Sequence, residues 1–136
     1  MSDKIREEHL RRGAIVYVRQ SSMTQVTNNK ESQRRQYGLA DRARALGFAH
    51  VDVIDEDLGR SGSGMDTRPG FQRLVTKLCA GEVGAVLSIE ASRLARNGRD
   101  WHHLIDLCAL VDTLVIDHDG AYDPRLVNDR LLLGSQ

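Results

Sequence analysis

Arg19 and Ser21 stand two residues apart at the end of the apolar run 14–20. In an extended chain, residues two apart project to the same side. A serine hydroxyl beside a guanidinium makes a candidate nucleophile next to a phosphate clamp. The alternative is a pair of turn serines, 21 and 22, beside a surface cation. Arg93 and Arg96 are three apart, which puts them on one face near the start of a helix. There they oppose the helix macrodipole, so stability does not explain them. An anion bound between them would, since a helix N-terminus is itself an anion site. Arg68 lies just before Pro69, a residue suited to the first position of a helix. Four arginines and a serine thus come from three separate segments. This set suits attack on a phosphodiester without a metal. The cations would stabilise the serine alkoxide and the charged phosphoryl oxygens, and the serine would become a phosphoserine.

Other chemistries find little support. His102 and His103 are adjacent on a helical pattern and diverge, so they cannot chelate one ion together. Asp55, Glu56 and Asp57 form a carboxylate run without a ligand-spaced partner. The G-x-S-x-G elbow is absent, and no His/Asp arrangement suggests a hydrolase triad. Gly59, Gly62 and Gly64 resemble a phosphate-cradling loop, but no Lys-Ser/Thr pair follows them.

The elements that must position these groups alternate along the chain. Residues 14–20 (AIVYVRQ) predict a first strand, followed by a polar loop at 21–29. Asn28 and Glu31 form a capping-box pattern, and a helix follows over 31–46 with Tyr37, Ala40, Ala43 and Leu46 inward. Gly47 ends it. Val51–Ile54 is a second strand. A helix from Pro69, with Phe71, Leu74, Val75 and Leu78 on its apolar face, stops at Gly81. A third strand covers 85–89. The segment 90–97 turns into a helix reaching Leu110, with Leu104, Ile105, Cys108 and Ala109 available for packing. A fourth strand covers 113–117, and a helical pattern starts at Arg125 after a connection at 120–124. This order predicts an α/β fold, a mostly parallel sheet of four to five strands with helices on both faces. In open parallel sheets, functional groups gather beyond the carboxyl ends of the strands. The segments to inspect are therefore 19–29, 55–68, 90–97 and 118–123, and the first three hold Arg19, Ser21, Arg68, Arg93 and Arg96.

The chain has 136 residues, 40% hydrophobic and 28% charged, the balance of a single globular domain. No apolar run approaches the length of a membrane span. The charged N-terminus carries no secretory pattern, so a cytoplasmic location is expected. Cys79 and Cys108 sit in apolar helical patterns and read as reduced core residues. Net charge is zero, yet residues 1–50 hold 10 Lys and Arg against 5 Asp and Glu. The basic side is almost all arginine, whose rigid fork of donors matches phosphate.

Four segments in order resemble the catalytic domain of the serine recombinases, the resolvases and invertases. They are Tyr17-Val18-Arg19-Gln20-Ser21-Ser22, Glu31-Ser32-Gln33, Asp66-Thr67-Arg68-Pro69 and Ser92-Arg93-Leu94-Ala95-Arg96. Tyr122-Asp123-Pro124-Arg125 and the run 128–134 resemble the segment before the long dimerisation helix in the large-recombinase branch. The resemblance covers 14–134, after a charged lead at 1–13. It implies Ser21 as nucleophile and Arg19, Arg68, Arg93 and Arg96 as active-site arginines. Gln33 matches a glutamine that helps hold the scissile phosphate, and Ser92 and Asn97 are further candidates for contact with DNA. It also implies cleavage of double-stranded DNA through 5′-phosphoserine linkages, subunit rotation and religation, with no cofactor.

Two departures from the family pattern stand out. Ser92 occupies the position where resolvases carry an aspartate, so an acid role is lost there. The run Leu131-Leu132-Leu133 reaches only the first turn of the long helix, so the expectation is a monomer or weak dimer where the full-length family forms dimers and tetramers. Two other readings remain open. One is an incomplete recombinase relative acting as an interaction or inhibitory partner. The other is a small anion- or nucleotide-binding α/β protein.

Overall fold

The structure is a computed structural model that describes residues 4–17, 30–54, 69–88, 98–117 and 120–129. Its elements are helix α1 (Glu7–Arg12), strand β1 (Ala14–Tyr17), helix α2 (Lys30–Leu46), strand β2 (Val51–Ile54), helix α3 (Pro69–Cys79), strand β3 (Ala85–Leu87), helix α4 (Gly98–Val111), and strands β4 (Leu114–Asp117) and β5 (Gly120–Tyr122). One sheet holds all five strands in the order β2-β1-β3-β4-β5. The first four are parallel, and β5 returns antiparallel to β4.

Strand β1 is apolar and buried at all four positions, as a central parallel strand covered on both faces must be. The pleat sends its side chains alternately to two cores. Ile15 and Tyr17 join Val86 and Val115 on the face packed by Leu74 and Leu78 of α3 and Leu104, Ile105 and Cys108 of α4. Ala14 and Val16 join Ala85, Leu87, Leu114 and Ile116 on the face packed by Leu39, Ala40 and Ala43 of α2. Burial drives the Cys108 thiol up to about 12, so it is held protonated as a core group.

Several expectations shift in detail. Tyr37 is not inward: it is 39% exposed. The buried stripe of α2 centres on Leu39, Ala40 and Ala43, and Tyr37 sits about 110° round the helix from it. Cys79 is exposed rather than core, because it closes α3 one residue past the buried Leu78. Residues 120–122 form a strand where a connection was expected. Three residues are too few to show a period, but pairing with β4 satisfies their backbone. The helical pattern expected from Arg125 starts at 127.

The charged lead holds α1, which closes the amino edge of the sheet. His9 is fully buried. Its Nδ1 accepts from the Arg6 backbone N–H at 3.0 Å, which leaves Nε2 to donate to Asp112 Oδ1 at 3.1 Å. Asp112 turns the chain from α4 into β4 at φ 59° and also takes a bond from Arg6 and an ion pair with Arg125 at 3.2 Å. Arg12 donates to the carbonyls of Val111 and Asp112. Lys4 pairs with Asp129 at 2.8 Å, and Asp129 also accepts from the Asp123 N–H. The amino-terminal segment thus ties itself to the turn before β4 and to the segment after β5.

Partial burial works to raise the Asp112 pKa, but the hydrogen bonds from His9 and Arg6 and the nearby charge of Arg125 outweigh it and hold the carboxyl below its ordinary 3.8. At Asp129 burial also opposes, and the Asp123 N–H and Lys4 prevail in the same direction. A depressed carboxyl pKa gives stability that is complete above the unfolded value and is lost as pH falls through the folded one. Stability should therefore drop as pH falls below about 4. Asp112→Asn keeps a residue that tolerates positive φ. It should cost about 1 kcal/mol at pH 7 and flatten this acid limb, as read by urea unfolding across pH.

Two glycines predict opposite outcomes. A Cβ at Gly84 would lie 1.9 Å from the His9 carbonyl oxygen, so α1 can rest on the sheet only if position 84 has no side chain. Gly84→Ala should destabilise by about 3 kcal/mol and free α1 for proteolysis. A Cβ at Gly38, inside α2, meets nothing within 4 Å. Gly38→Ala should stabilise the monomer by about 1 kcal/mol in the same urea assay.

Candidate active site

The carboxyl ends of the parallel strands form a level edge. Tyr17 pairs with Ile54, and Val16 pairs with Leu87, which in turn pairs with Ile116. The ladder continues one step beyond β3, where the Ser88 N–H donates to the Ile116 carbonyl at 2.9 Å. Ile54, Tyr17, Ser88 and Asp117 therefore end side by side, with neighbouring strands about 5 Å apart.

Three segments leave this edge from adjacent strands. Residues 18–29 follow β1, 55–68 follow β2, and 89–97 follow β3. They carry Arg19 and Ser21, Arg68, and Ser92, Arg93, Arg96 and Asn97 respectively. All these residues lie outside the described residues. The backbone of Gln33 belongs to the first turn of α2, and its side chain lies outside the described part.

The order of the strands makes one gap special. From β1 the chain crosses to β2 through α2, which packs on one face. From β2 it crosses back past β1 to β3 through α3, and from β3 to β4 through α4, both on the opposite face. The direction of winding reverses between β1 and β3. At such a switch point the flanking connections go to opposite faces and leave a crevice outside the strand ends. The segments bearing Ser21 and Arg93 are the two that flank it.

The helices that receive these segments are anchored close to the edge. Phe71, three residues after Arg68, meets Tyr17, two residues before Arg19, edge to face with ring centroids 6.4 Å apart. Tyr17 is 2% exposed, so this contact ties the start of α3 to the end of β1 inside the core. Beside the edge, buried Asp117 accepts from the Gly120 N–H at 3.1 Å and closes the β4–β5 turn. Sequence reasoning gave Tyr17 and Asp117 no positioning role, since residues inside predicted strands look like ordinary sheet residues.

A cleft of about 410 Å³ lies at the other end of the sheet, among Arg11, Arg12, His50, Asp52, Lys77 and Glu82. Two of its cations are engaged within the fold: Arg12 by the two carbonyls, and Lys77 by Asp52 at 3.5 Å. Among the described residues no group of His, Cys, Asp or Glu is placed to hold a metal ion, and no helix is long and apolar enough to cross a membrane.

Comparison with known proteins agrees with this topology. The crystal structure of the N-terminal catalytic domain of TP901-1 integrase superposes with a TM-score of 0.63 at 24% identity, covering 88% of each chain. That likeness is one of fold. An uncharacterized protein, y4bA/y4pH of Sinorhizobium fredii (strain NBRC 101917 / NGR234), is 56% identical over 133 residues, 96% of this chain. The chain spans 19% of that relative's length. The family model described as Resolvase, N terminal domain, matches residues 14–136, from the first residue of β1 onward. With a match over nearly its whole length, the chain belongs to the resolvase N-terminal domain family, the catalytic domain of serine recombinases.

Proposed function

We infer that this domain cleaves and rejoins double-stranded DNA, with Ser21 as nucleophile. The observation that supports this reading is the reversal of winding between β1 and β3. It sends the segments bearing Arg19 with Ser21 and Arg93 with Arg96 out of neighbouring strand ends, with the Arg68 segment on the next strand. The Ser21 hydroxyl attacks the phosphorus of a phosphodiester. A bond forms between Oγ and phosphorus, and the bond to the 3′ oxygen breaks. The serine proton is lost and the 3′ oxygen gains one, leaving a 5′-phosphoserine and a free 3′-hydroxyl. Arg19, Arg68, Arg93 and Arg96 offset the charge on the phosphoryl oxygens. Gln33, Ser92 and Asn97 contact the phosphate or the flanking DNA. Because the phosphoserine is an ester like the one it replaces, attack by a 3′-hydroxyl reverses the step at little free-energy cost. Exchange of strands between two such cuts requires more than one copy, so a homo-oligomer on DNA is part of the proposal.

The test is trapping of the covalent adduct on a nicked suicide DNA. Ser21→Ala should lower adduct yield by at least about a thousandfold, the loss of a nucleophile, while Ser22→Ala retains most of it. An adduct that persists in Ser21→Ala and maps to Ser22 moves the nucleophile by one residue. Binding of mononucleotides with no adduct on any DNA would replace the reading with an anion-binding one.

A further inference from the structure

Helix α2 carries a glycine that the described fold does not account for. Gly38 lies in the middle of the 17-residue helix, where glycine is the least favourable residue after proline. Among the described residues no chain segment approaches it closely, and a Cβ there would meet nothing within 4 Å. Around it lies the face opposite the buried stripe. Arg34, Tyr37, Gly38, Asp41, Arg44 and Ala45 are all exposed there. An exposed aromatic next to an exposed glycine in a helix makes a knob beside a hole.

We propose that this face is a self-association surface, on which α2 of a second copy docks antiparallel about a two-fold axis passing between positions 37 and 38. In a two-fold contact each residue meets its counterpart equidistant from the axis. Tyr37 then faces Gly38 of the second copy, and Gly38 receives its Tyr37. One turn out from the axis, Arg34 faces Asp41 of the second copy, and this pair also occurs twice. The antiparallel sense follows from charge, since a parallel pair would set Arg34 against Arg34 and Asp41 against Asp41. Asp41 accepts from Arg44 of its own helix at 3.1 Å, with its side chain 86% exposed. Exchange of so exposed a pair for one across the interface costs little. The glycine lets the two helix backbones approach closely and gives the tyrosine ring a seat.

A single helix face is small against the roughly 800 Å² per partner of a stable interface. The contact is therefore weak for free chains and gains strength when copies are already held near one another. It is independent of the cleavage chemistry and concerns a different surface, so it stands or falls apart from the assignment of Ser21.

The experiment is sedimentation of the 136-residue chain up to millimolar concentration, with a Cys79→Ser background to exclude disulfides. Arg34→Asp and Asp41→Arg should each weaken self-association about tenfold, since each reversal sets like charges together twice. The double swap should restore it to within about threefold of the starting chain. Gly38→Gln, which fills the seat with a good helix former, should weaken association without loss of helix content or of monomer stability. Absence of any concentration-dependent association overturns the proposal. So does a pair of single variants whose effects persist in the double swap. If Arg34→Asp weakens and Asp41→Arg strengthens binding to a DNA duplex, with self-association untouched, the face follows phosphates and the proposal fails.

Discussion

Everything at the candidate site depends on β1 being central and buried on both faces. Its four residues serve two cores at once, Ala14 and Val16 on one side and Ile15 and Tyr17 on the other. A strand in this position cannot slip by one residue without exchanging the two sets. It therefore fixes the height of its neighbours, and β2 and β3 end level with it. The level edge places the exits of three segments within about 10 Å of one another. The Tyr17–Phe71 contact extends the same constraint to the start of α3. The scaffold contributes position, and the segments beyond it contribute the charged groups.

The opposite edge is closed by different means. There α1 lies so close to the sheet that its backbone fills the space above Gly84. Its polar groups converge on Asp112 and on the carbonyls beside it. Lys4 and Arg125 carry the network on to residues 123–129. The family match begins at Ala14, so α1 lies before the matched residues. It packs as part of the domain all the same, with Ile5 and Leu10 against the core below α2. Hydrophobic contact holds the helix against the sheet, and the ion pairs tie it to Arg125 and Asp129 after β5.

The fold was legible in the sequence wherever burial imposed a period. The strand expected over 14–20 starts at Ala14 and is described as far as Tyr17, with 18–20 outside the described residues, and the apolar face of α3 and the stop at Gly81 fall where the pattern put them. Tyr37 misled because an aromatic residue near the right phase looks inward, although the stripe of α2 is built from the smaller Leu39, Ala40 and Ala43. Strand β5, paired with the nearby Val115 and Ile116, is too short to show a period, and the placement of the short helix α1 rests on the distant Asp112. No local pattern encodes such partners. The candidate site was legible in a different sense. Arginine and serine spacing and the likeness to a known family pointed to residues, and the strand order supplies a shared edge for the segments that hold them. Arg19, Ser21, Arg68, Ser92, Arg93, Arg96 and Asn97 themselves lie outside the described residues.

Helix α2 is where these separate constraints meet. Five of its seventeen residues are Lys or Arg and two are Glu or Asp, which concentrates positive charge in a chain with none overall. It starts directly after the segment that bears Ser21, so its first turn stands at the candidate edge. Its inward stripe belongs to the same core that holds Ala14 and Val16 of β1. Its length is about 25 Å at 1.5 Å per residue, enough to run from the carboxyl edge back to the amino edge of the sheet. A glycine on its outer face lowers the helix's own stability without aid to the monomer's packing. Its presence is consistent with a surface shaped for contact, on the one element that joins the candidate nucleophile segment to the core.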